Sequence, residues 1–199
     1  VQGLLDSPDY DDFFDASFDR ELEQLTETRE ELVEQMRGQA KTITPQIMPA
    51  LVKYFEDYEV FSVEEKLFQK INDFSLDKYK FKGYIDLVIK TPDGKYHVID
   101  WKTCSWGWDR DKRNSKLVTY QLTLYKKFFC EKHNIDPKLV ETHFALLKRT
   151  AKKDNVEIFR VTSGPRKTSN ATDLLRKALK SIENKMFIKN RLPCRNCEF

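Results

Sequence analysis

Cysteine and glycine are scarce in this chain, and long apolar runs are missing from it. Its 199 residues include six glycines and four cysteines, which are Cys104, Cys130, Cys194 and Cys197. So few cysteines exclude a disulfide-stapled scaffold and favour a reducing, intracellular setting. The longest uninterrupted apolar run, Phe144–Leu147, is far shorter than a membrane span. Because no charged-then-apolar leader follows Val1, we expect neither a signal peptide nor a membrane partner.

Charge is distributed unevenly along the chain. The net charge is +3, yet residues 1–35 contain twelve acidic residues and two arginines, a balance of −10. The remaining residues must therefore carry +13, because the total is +3. A basic body suggests a polyanionic partner, and the alternative is simply a basic, solvated surface.

The N-terminal segment is predicted to be a separate acidic arm. Apolar residues at helical spacing, from Phe13 to Met36, predict one helix over 9–37. A second helix is expected from Pro45, which suits a first turn, to about Phe55. We therefore divide the chain into an arm (1–40) and one domain (41–199). The arm is expected to pack as an amphipathic helix; the alternative is a contact for a protein partner, or an autoinhibitory contact over a basic cleft.

The second part of the chain alternates strand and helix patterns. Segments rich in β-branched and aromatic residues predict strands over 60–67, 81–90 and 95–103, with a tight turn at Pro92-Asp93-Gly94. The later elements are predicted as a helix over 114–132, strands over 142–148 and 156–162, and a helix over 171–189. Strands in a block flanked by helices indicate an α/β domain with a mixed sheet.

Two acidic residues are predicted to face each other across the first hairpin. If the strands pair around a three-residue loop with Gly94 in the left-handed position, Asp86 lies opposite Asp100, with Cβ atoms about 5 Å apart. Lys102 then emerges on the same face. Opposed like charges destabilise a sheet unless a divalent cation lies between them, and oxygen ligands suit magnesium or manganese. The alternative is a solvated acid pair, and a one-residue shift in register would separate the acids.

A third acidic ligand is available on the preceding strand, where Glu64 and Glu65 are adjacent. Alternation sends their side chains to opposite faces, so one of them at most can join the pair. Burial favours Glu65 if the site lies inside the sheet layer, but both remain open. The apolar surroundings of Asp86 and Asp100 favour a function, because a charge within an apolar strand usually has a partner.

Three segments of this region resemble the PD-(D/E)xK nuclease superfamily, and most closely its RecB-like branch. They are Gly83–Asp86, Ile99–Thr103 and Gln121–Tyr125, the last matching the Gln-x-x-x-Tyr helix of that branch. The resemblance implies a restriction-endonuclease-like core with a mixed central β-sheet flanked by helices, plus the N-terminal helical arm. Independently of it, a glutamine within an apolar helix face needs a buried partner.

The resemblance also implies roles for individual residues. Those with an implied catalytic role are Asp86, Asp100, Lys102, Glu65, Gln121 and Tyr125. The expected cofactor is Mg²⁺ or Mn²⁺, and its implied ligands are Asp86, Asp100, one of Glu64 and Glu65, and the main-chain carbonyl of Trp101. In the family the Gln and Tyr positions help to place the DNA and the site.

Two basic segments, 104–116 and 163–168, are predicted to contact nucleic acid. The first interleaves tryptophans with basic residues, a composition suited to stacking bases and holding phosphates. For the tryptophans, packing in the core is an equal alternative. The candidates are Trp106, Trp108, Arg110, Lys112, Arg113, Lys116, Arg166 and Lys167.

The cysteines and histidines are not expected to hold a metal. Several RecB-like nucleases carry an iron–sulfur cluster held by one cysteine before the core and three after it, but this chain has no cysteine before Cys104. Cys194 and Cys197 alone are too few for a four-ligand site. His97, His133 and His143 show no metal-ligand spacing.

These observations predict a deoxyribonuclease that hydrolyses phosphodiester bonds with a divalent metal. Analogy with the branch favours an exonuclease of DNA recombination, repair or viral DNA processing. The alternative is a catalytically idle nucleic-acid-binding module that keeps the nuclease fold. No particular oligomeric state is predicted.

Overall fold

Five strands form one mixed sheet in the computed structural model, which describes residues 10–71 and 79–186. The strands are β1 (Glu59–Lys70), β2 (Lys80–Lys90), β3 (Tyr96–Cys104), β4 (Val140–Lys148) and β5 (Val156–Val161). They lie in chain order across the sheet; β3 and β4 are parallel, and the other neighbours are antiparallel. The predicted mixed sheet is therefore confirmed.

Helices cover both faces of this sheet. They are α1 (Tyr10–Leu22), α2 (Glu30–Phe55), α3 (Arg110–Asn114), α4 (Lys116–His133) and α5 (Pro165–Glu183), with a 3₁₀ turn at Pro137–Leu139. Apolar residues of α4 pack on one face of the sheet, and those of α2 pack on the other. Because parallel neighbours need a long crossover, α3 and α4 lie between β3 and β4 in the chain. None of the helices described by the structure is long and apolar enough to cross a membrane.

The N-terminal helices differ from the prediction of one helix over 9–37 and another from Pro45. The chain leaves the helical conformation between α1 and α2, and α2 then continues through Pro45 and Pro49. Its second half buries Ile43, Ile47 and Leu51 against the sheet. This packing holds the segment helical although each internal proline removes a hydrogen bond.

The acidic arm of the sequence corresponds to α1 and the first half of α2. Arg37 joins the two helices through ion pairs with Asp15 at 2.6 Å and Asp19 at 2.5 Å. Residue 40 lies within α2, so the division of the chain there remains a prediction. The protein-partner and autoinhibitory alternatives for the arm also remain predictions.

Two later boundaries also differ from the predicted ones. Helix α5 begins at Pro165 rather than at residue 171, because proline is favoured in the first helical turn. Its predicted end at 189 lies outside the described residues. The helix predicted over 114–132 begins after Ser115, which separates α3 from α4.

The β2–β3 hairpin has the register that its turn predicts. Leu87 pairs with Ile99, and Gly94 has the left-handed φ of 81° that the turn requires. Bonded pairing ends at Leu87 and Ile99. Asp86 and Asp100 therefore lie just beyond the last bonded pair, where β2 and β3 separate.

The pairing of β1 with β2 is distorted at the position of Asp86. The bonded pairs on either side place Glu64 opposite Asp86, and Glu64 has a φ of 50°. A non-glycine residue in this region is strained, and such strain persists where its surroundings enforce it. As a consequence Val63 packs towards α2, whereas Glu65 reaches α4.

Two buried histidines lie together on the α2 side of the sheet. His97 Nδ1 is 3.1 Å from His143 Nε2, and both fall with Glu141 in a group whose ligand atoms lie within 4.8 Å of one another. Spacing along the chain did not indicate this cluster, because adjacent parallel strands bring distant positions together. Thr91 Oγ1, 3.0 Å from His97 Nε2, also gives that ring a partner without any cation.

The histidine pair predicts that acid destabilises the protein. Burial lowers the pKa of His143 to about 3, with the nearby His97 adding to the effect, and burial also lowers the pKa of His97. Both histidines regain a pKa near 6.5 on unfolding, so the unfolded chain binds protons more readily than the folded protein does. The stability that the two neutral rings contribute is therefore fully present above that pH and is lost as the pH falls towards 3. We expect His143 to make the free energy of unfolding in urea about 2 kcal/mol lower at pH 5 than at pH 7. His143→Phe, which keeps an aromatic ring, should show a smaller decrease; an equal decrease would contradict this assignment.

Candidate active site

Asp86 occupies the gap where β2 and β3 separate. Its Oδ2 accepts a hydrogen bond from the main-chain nitrogen of Trp101 at 2.7 Å. A main-chain N–H in a sheet normally donates to a carbonyl of the next strand. Here the side chain of Asp86 supplies the acceptor, and its carboxylate is thereby held between the two strands.

Asp100 is the more buried of the two acids, with only 2% of its surface exposed. Its Oδ1 accepts a hydrogen bond from Gln121 Nε2 at 3.0 Å. Lys102 Nζ lies 2.7 Å from Oδ2 and forms an ion pair with it. Burial raises the pKa of Asp100 and the charge of Asp86 adds to the rise, while Lys102 opposes it. Two neighbouring carboxylates, one of them buried, are a donor set that fits a hard divalent cation.

Helix α4 supports Asp100 through two residues one turn apart. Gln121 Nε2 contacts both Asp100 Oδ1 and Tyr125 Oη, the latter at 3.1 Å. The predicted buried partner of this glutamine is therefore confirmed. Gly83 on β2 makes room for the tyrosine, because a Cβ at that position would lie 2.7 Å from its ring.

The Glu65 carboxylate contacts the C-terminal end of α4. Its Oε1 accepts a hydrogen bond from Lys132 and lies 2.9 Å from His133 Nε2. Burial opposes ionisation of Glu65, but its contacts with Lys132 and His133 outweigh this effect and lower its pKa. Lys132 is three turns beyond Gln121, about 16 Å along the helix axis.

Glu64 is the acid that lies across from Asp86. It is exposed, and its strained backbone sits at the level where β2 and β3 separate. Because Glu65 already has two basic partners, Glu64 is the better placed of the two to complete a cation site.

The predicted nucleic-acid residues fall into different environments. Trp106 is 72% exposed, whereas Trp108 is 8% exposed and packs on Phe144 and Phe159. Trp108 is therefore a core residue, which was the alternative to contact with nucleic acid. Arg113 pairs with Glu157 at 2.6 Å and so has a structural partner.

The other predicted cations lie at or near the surface. Lys112, Lys116 and Arg166 are exposed, and Lys112 Nζ lies 4.8 Å from the centre of the Trp108 ring. Arg110 and Lys167, predicted from two separate segments, line one cavity together with Arg160. Sequence reasoning missed Arg160, although a charge in the otherwise apolar end of a strand was an available signal.

Comparison with known proteins places this geometry in a family. Residues 2–199 match the family model of the PD-(D/E)XK nuclease superfamily. Among solved structures, a protein from Eubacterium rectale described as a candidate exonuclease is similar with a TM-score of 0.52 and 15% identity over 82% of this chain and 61% of that one. The structure of SSO0001 has a TM-score of 0.43 at 15% identity, over 84% of this chain and 83% of that one. No curated protein matches the chain.

These findings carry different weight. At such low identity the structural likeness shows the fold alone, and this chain spans 61% of the length of the Eubacterium rectale protein. The family model, in contrast, covers all but the first residue of the chain and includes the site at Asp86, Asp100 and Lys102. The chain therefore belongs to the PD-(D/E)XK nuclease superfamily.

Proposed function

We propose that this protein is a divalent-metal-dependent nuclease that hydrolyses phosphodiester bonds of DNA. The observation that carries the proposal is the meeting of Asp86, Asp100 and Lys102 where β2 and β3 separate. Membership of a nuclease superfamily supports a nucleic-acid substrate. The basic body of the chain suits a polyanion as well.

The residues around the gap fit Mg²⁺ or Mn²⁺. Asp86, Asp100 and Glu64 would hold the ion, with the main-chain carbonyl of Trp101, and all of these are the oxygen ligands that such ions prefer. The burial of Asp100 beside a second carboxylate supports this fit, because Lys102 supplies only one positive charge for the two acids. When bound, the ion would lower the pKa of a water molecule and polarise a phosphate oxygen.

The other side chains of the site would place a positive charge near the scissile phosphate and orient the Asp100 carboxylate. The ammonium of Lys102 stands beside Asp100, where it can stabilise negative charge that develops on the attacked phosphate. Gln121 fixes the orientation of the Asp100 carboxylate, and Tyr125 in turn fixes the Gln121 amide. The roles of Gln121 and Tyr125 in this proposal are therefore positional.

Within this class we favour an exonuclease that acts in DNA recombination, repair or viral DNA processing. The Gln121–Tyr125 segment resembles the motif of RecB-like nucleases, and the Eubacterium rectale neighbour is described as a candidate exonuclease. Both are arguments by analogy, so the experiment below separates cleavage from ends and internal cleavage.

Cleavage assays test the proposal directly. The wild type, given end-labelled single- and double-stranded DNA, should produce fragments with Mg²⁺ or Mn²⁺ and none with a chelator. Asp100→Asn should lower the rate by about 10²-fold or more, because metal-assisted charge stabilisation contributes several kcal/mol to the barrier. Asp57→Asn, at an exposed position after α2, is the matched control and should keep full activity.

Circular DNA in the same assay distinguishes the two modes of cleavage. An exonuclease leaves covalently closed circles intact, whereas an endonuclease cuts them. DNA binding without cleavage under any divalent ion would reject the nuclease proposal in favour of an idle binding module.

Metal binding should also appear as stabilisation. At a metal concentration of 100 times Kd, the wild type should gain about 2.7 kcal/mol, seen as a higher Tm. Asp86→Asn and Asp100→Asn should lose most of this gain, and Asp57→Asn should keep it. Because His143 belongs to a second group that can share a cation, His143→Phe is measured in parallel. A gain that survives Asp100→Asn and disappears in His143→Phe would contradict the proposed ligand set.

The two tryptophans of the 104–116 segment should respond differently to truncation. Trp106, which is exposed, is proposed to stack on a base, so Trp106→Ala should weaken single-strand binding by about 1–3 kcal/mol with unchanged unfolding in urea. Trp108→Ala should instead reduce the free energy of unfolding by about 3–5 kcal/mol, because it removes a buried ring. Anisotropy of a labelled oligonucleotide in chelator measures binding. Equal binding by wild type and Trp106→Ala would remove that residue from the proposed surface.

A further inference from the structure

A basic groove runs along β5, the last strand of the described sheet, between α3 and the start of α5. We call it the β5 groove; its volume is about 460 Å³, and Arg110, Arg113, Asn114, Phe159, Arg160 and Lys167 are among its lining residues. Four of these are cations, and the described lining contains no acid. The two basic segments singled out in the sequence thus converge on one concave surface.

Two of the four cations have no acidic partner. Arg113 pairs with Glu157 at 2.6 Å, and Arg160 pairs with Glu141 at 3.2 Å. In the part of the chain that the structure describes, neither Arg110 nor Lys167 lies within ion-pair distance of a carboxylate. Lys167 is also half-buried, and burial lowers its pKa. A half-buried ammonium and a free guanidinium that line one cavity form a surface suited to a bound anion.

The sheet register relates this groove to the candidate active site. Asp100 pairs with Phe144, which pairs with Phe159 at the wall of the groove. Residues paired in this way share one face, and two strand spacings separate the first from the last by about 10 Å. Trp108 packs on both phenylalanines and covers the sheet between the acid and the groove.

One carboxylate lies along this path, and its charge is compensated. Glu157 pairs with Arg113 at 2.6 Å and also lies 3.7 Å from Lys148 Nζ. A polyanion that passes from Lys102 to the β5 groove therefore meets no uncompensated negative charge at Glu157, because Arg113 and Lys148 neutralise that carboxylate.

We propose that the β5 groove binds the phosphate backbone of the strand being cut, a few nucleotides from the scissile phosphate. This inference rests on the proposed nuclease function and adds the direction in which the strand crosses the sheet. Cations that reach phosphates hold a strand without reading its sequence.

A length series tests the groove. Binding of labelled single strands of 2 to 12 nucleotides is measured in chelator for the wild type and for Arg110→Ala/Lys167→Ala. Wild-type affinity should increase about tenfold or more once the strand is long enough to reach from the active site to the groove, and this step should be absent in the double variant. With long strands, the slope of log Kd against log salt should decrease by about 2, because two phosphate contacts are lost.

Control variants separate the groove from a general loss of charge. Arg29→Ala/Lys53→Ala removes the same two residue types from exposed positions at the start and near the end of α2. This variant should keep the length step and most of the salt slope. Arg110→Lys/Lys167→Arg, which keeps both charges, should restore most of the affinity that the alanine variant loses.

Cleavage kinetics then distinguish failure of this inference from failure of the proposed function. If the wild type cleaves DNA, the ratio of KM between Arg110→Ala/Lys167→Ala and wild type should increase with strand length. Identical Kd, KM and salt slope for Arg110→Ala/Lys167→Ala and Arg29→Ala/Lys53→Ala at every strand length would overturn the groove proposal. The proposed nuclease function would not be affected by that result. Absence of cleavage by the wild type with every divalent ion would reject the nuclease, and the groove proposal as stated would fall with it.

Discussion

The hydrogen bond from the main chain of Trp101 to Asp86 allows two neighbouring strands to separate inside a sheet. Buried N–H groups need acceptors, and strands rarely part without one. Asp86 provides the acceptor from its side chain at 2.7 Å, so β2 and β3 open without leaving this donor unsatisfied. The opening lies beside Asp100 and Lys102, and it coincides with the strained backbone of Glu64 on β1. The arrangement of the candidate site follows from this local change of acceptor, in which the Asp86 carboxylate replaces a main-chain carbonyl.

The same opening brings two acids together at an energetic cost to the metal-free protein. The raised pKa of Asp100 expresses this cost, which arises first from burial and then from the charge of Asp86. Lys102 offsets part of it, and Gln121, Tyr125 and Gly83 hold the carboxylate in one orientation. Sites that trade stability for chemistry in this way are common in enzymes.

The two faces of the sheet have different roles. On the α2 side, Ile43, Ile47 and Leu51 and the neutral pair of His97 and His143 make a tightly packed layer. On the α4 side, an apolar core around Phe128 and Phe144 lies next to the acids, the basic groove and the exposed Trp106. Asp100, Lys102 and Phe159 of the proposed substrate surface lie on the second face, and the first serves as its support.

Two features that depend on neighbours along the chain could be predicted from the amino-acid sequence. The turn at Gly94 set the register of β2 and β3, and the glutamine at 121 required a buried partner; both predictions were confirmed. Tertiary structure alone decided features that depend on distant segments: the engagement of Glu65 by α4, the burial of Trp108, the meeting of His97 with His143, and the continuation of α2 through its prolines. The physical reason is that hydrogen-bond register is a local property, whereas burial and charge pairing depend on which remote side chains the fold brings into contact.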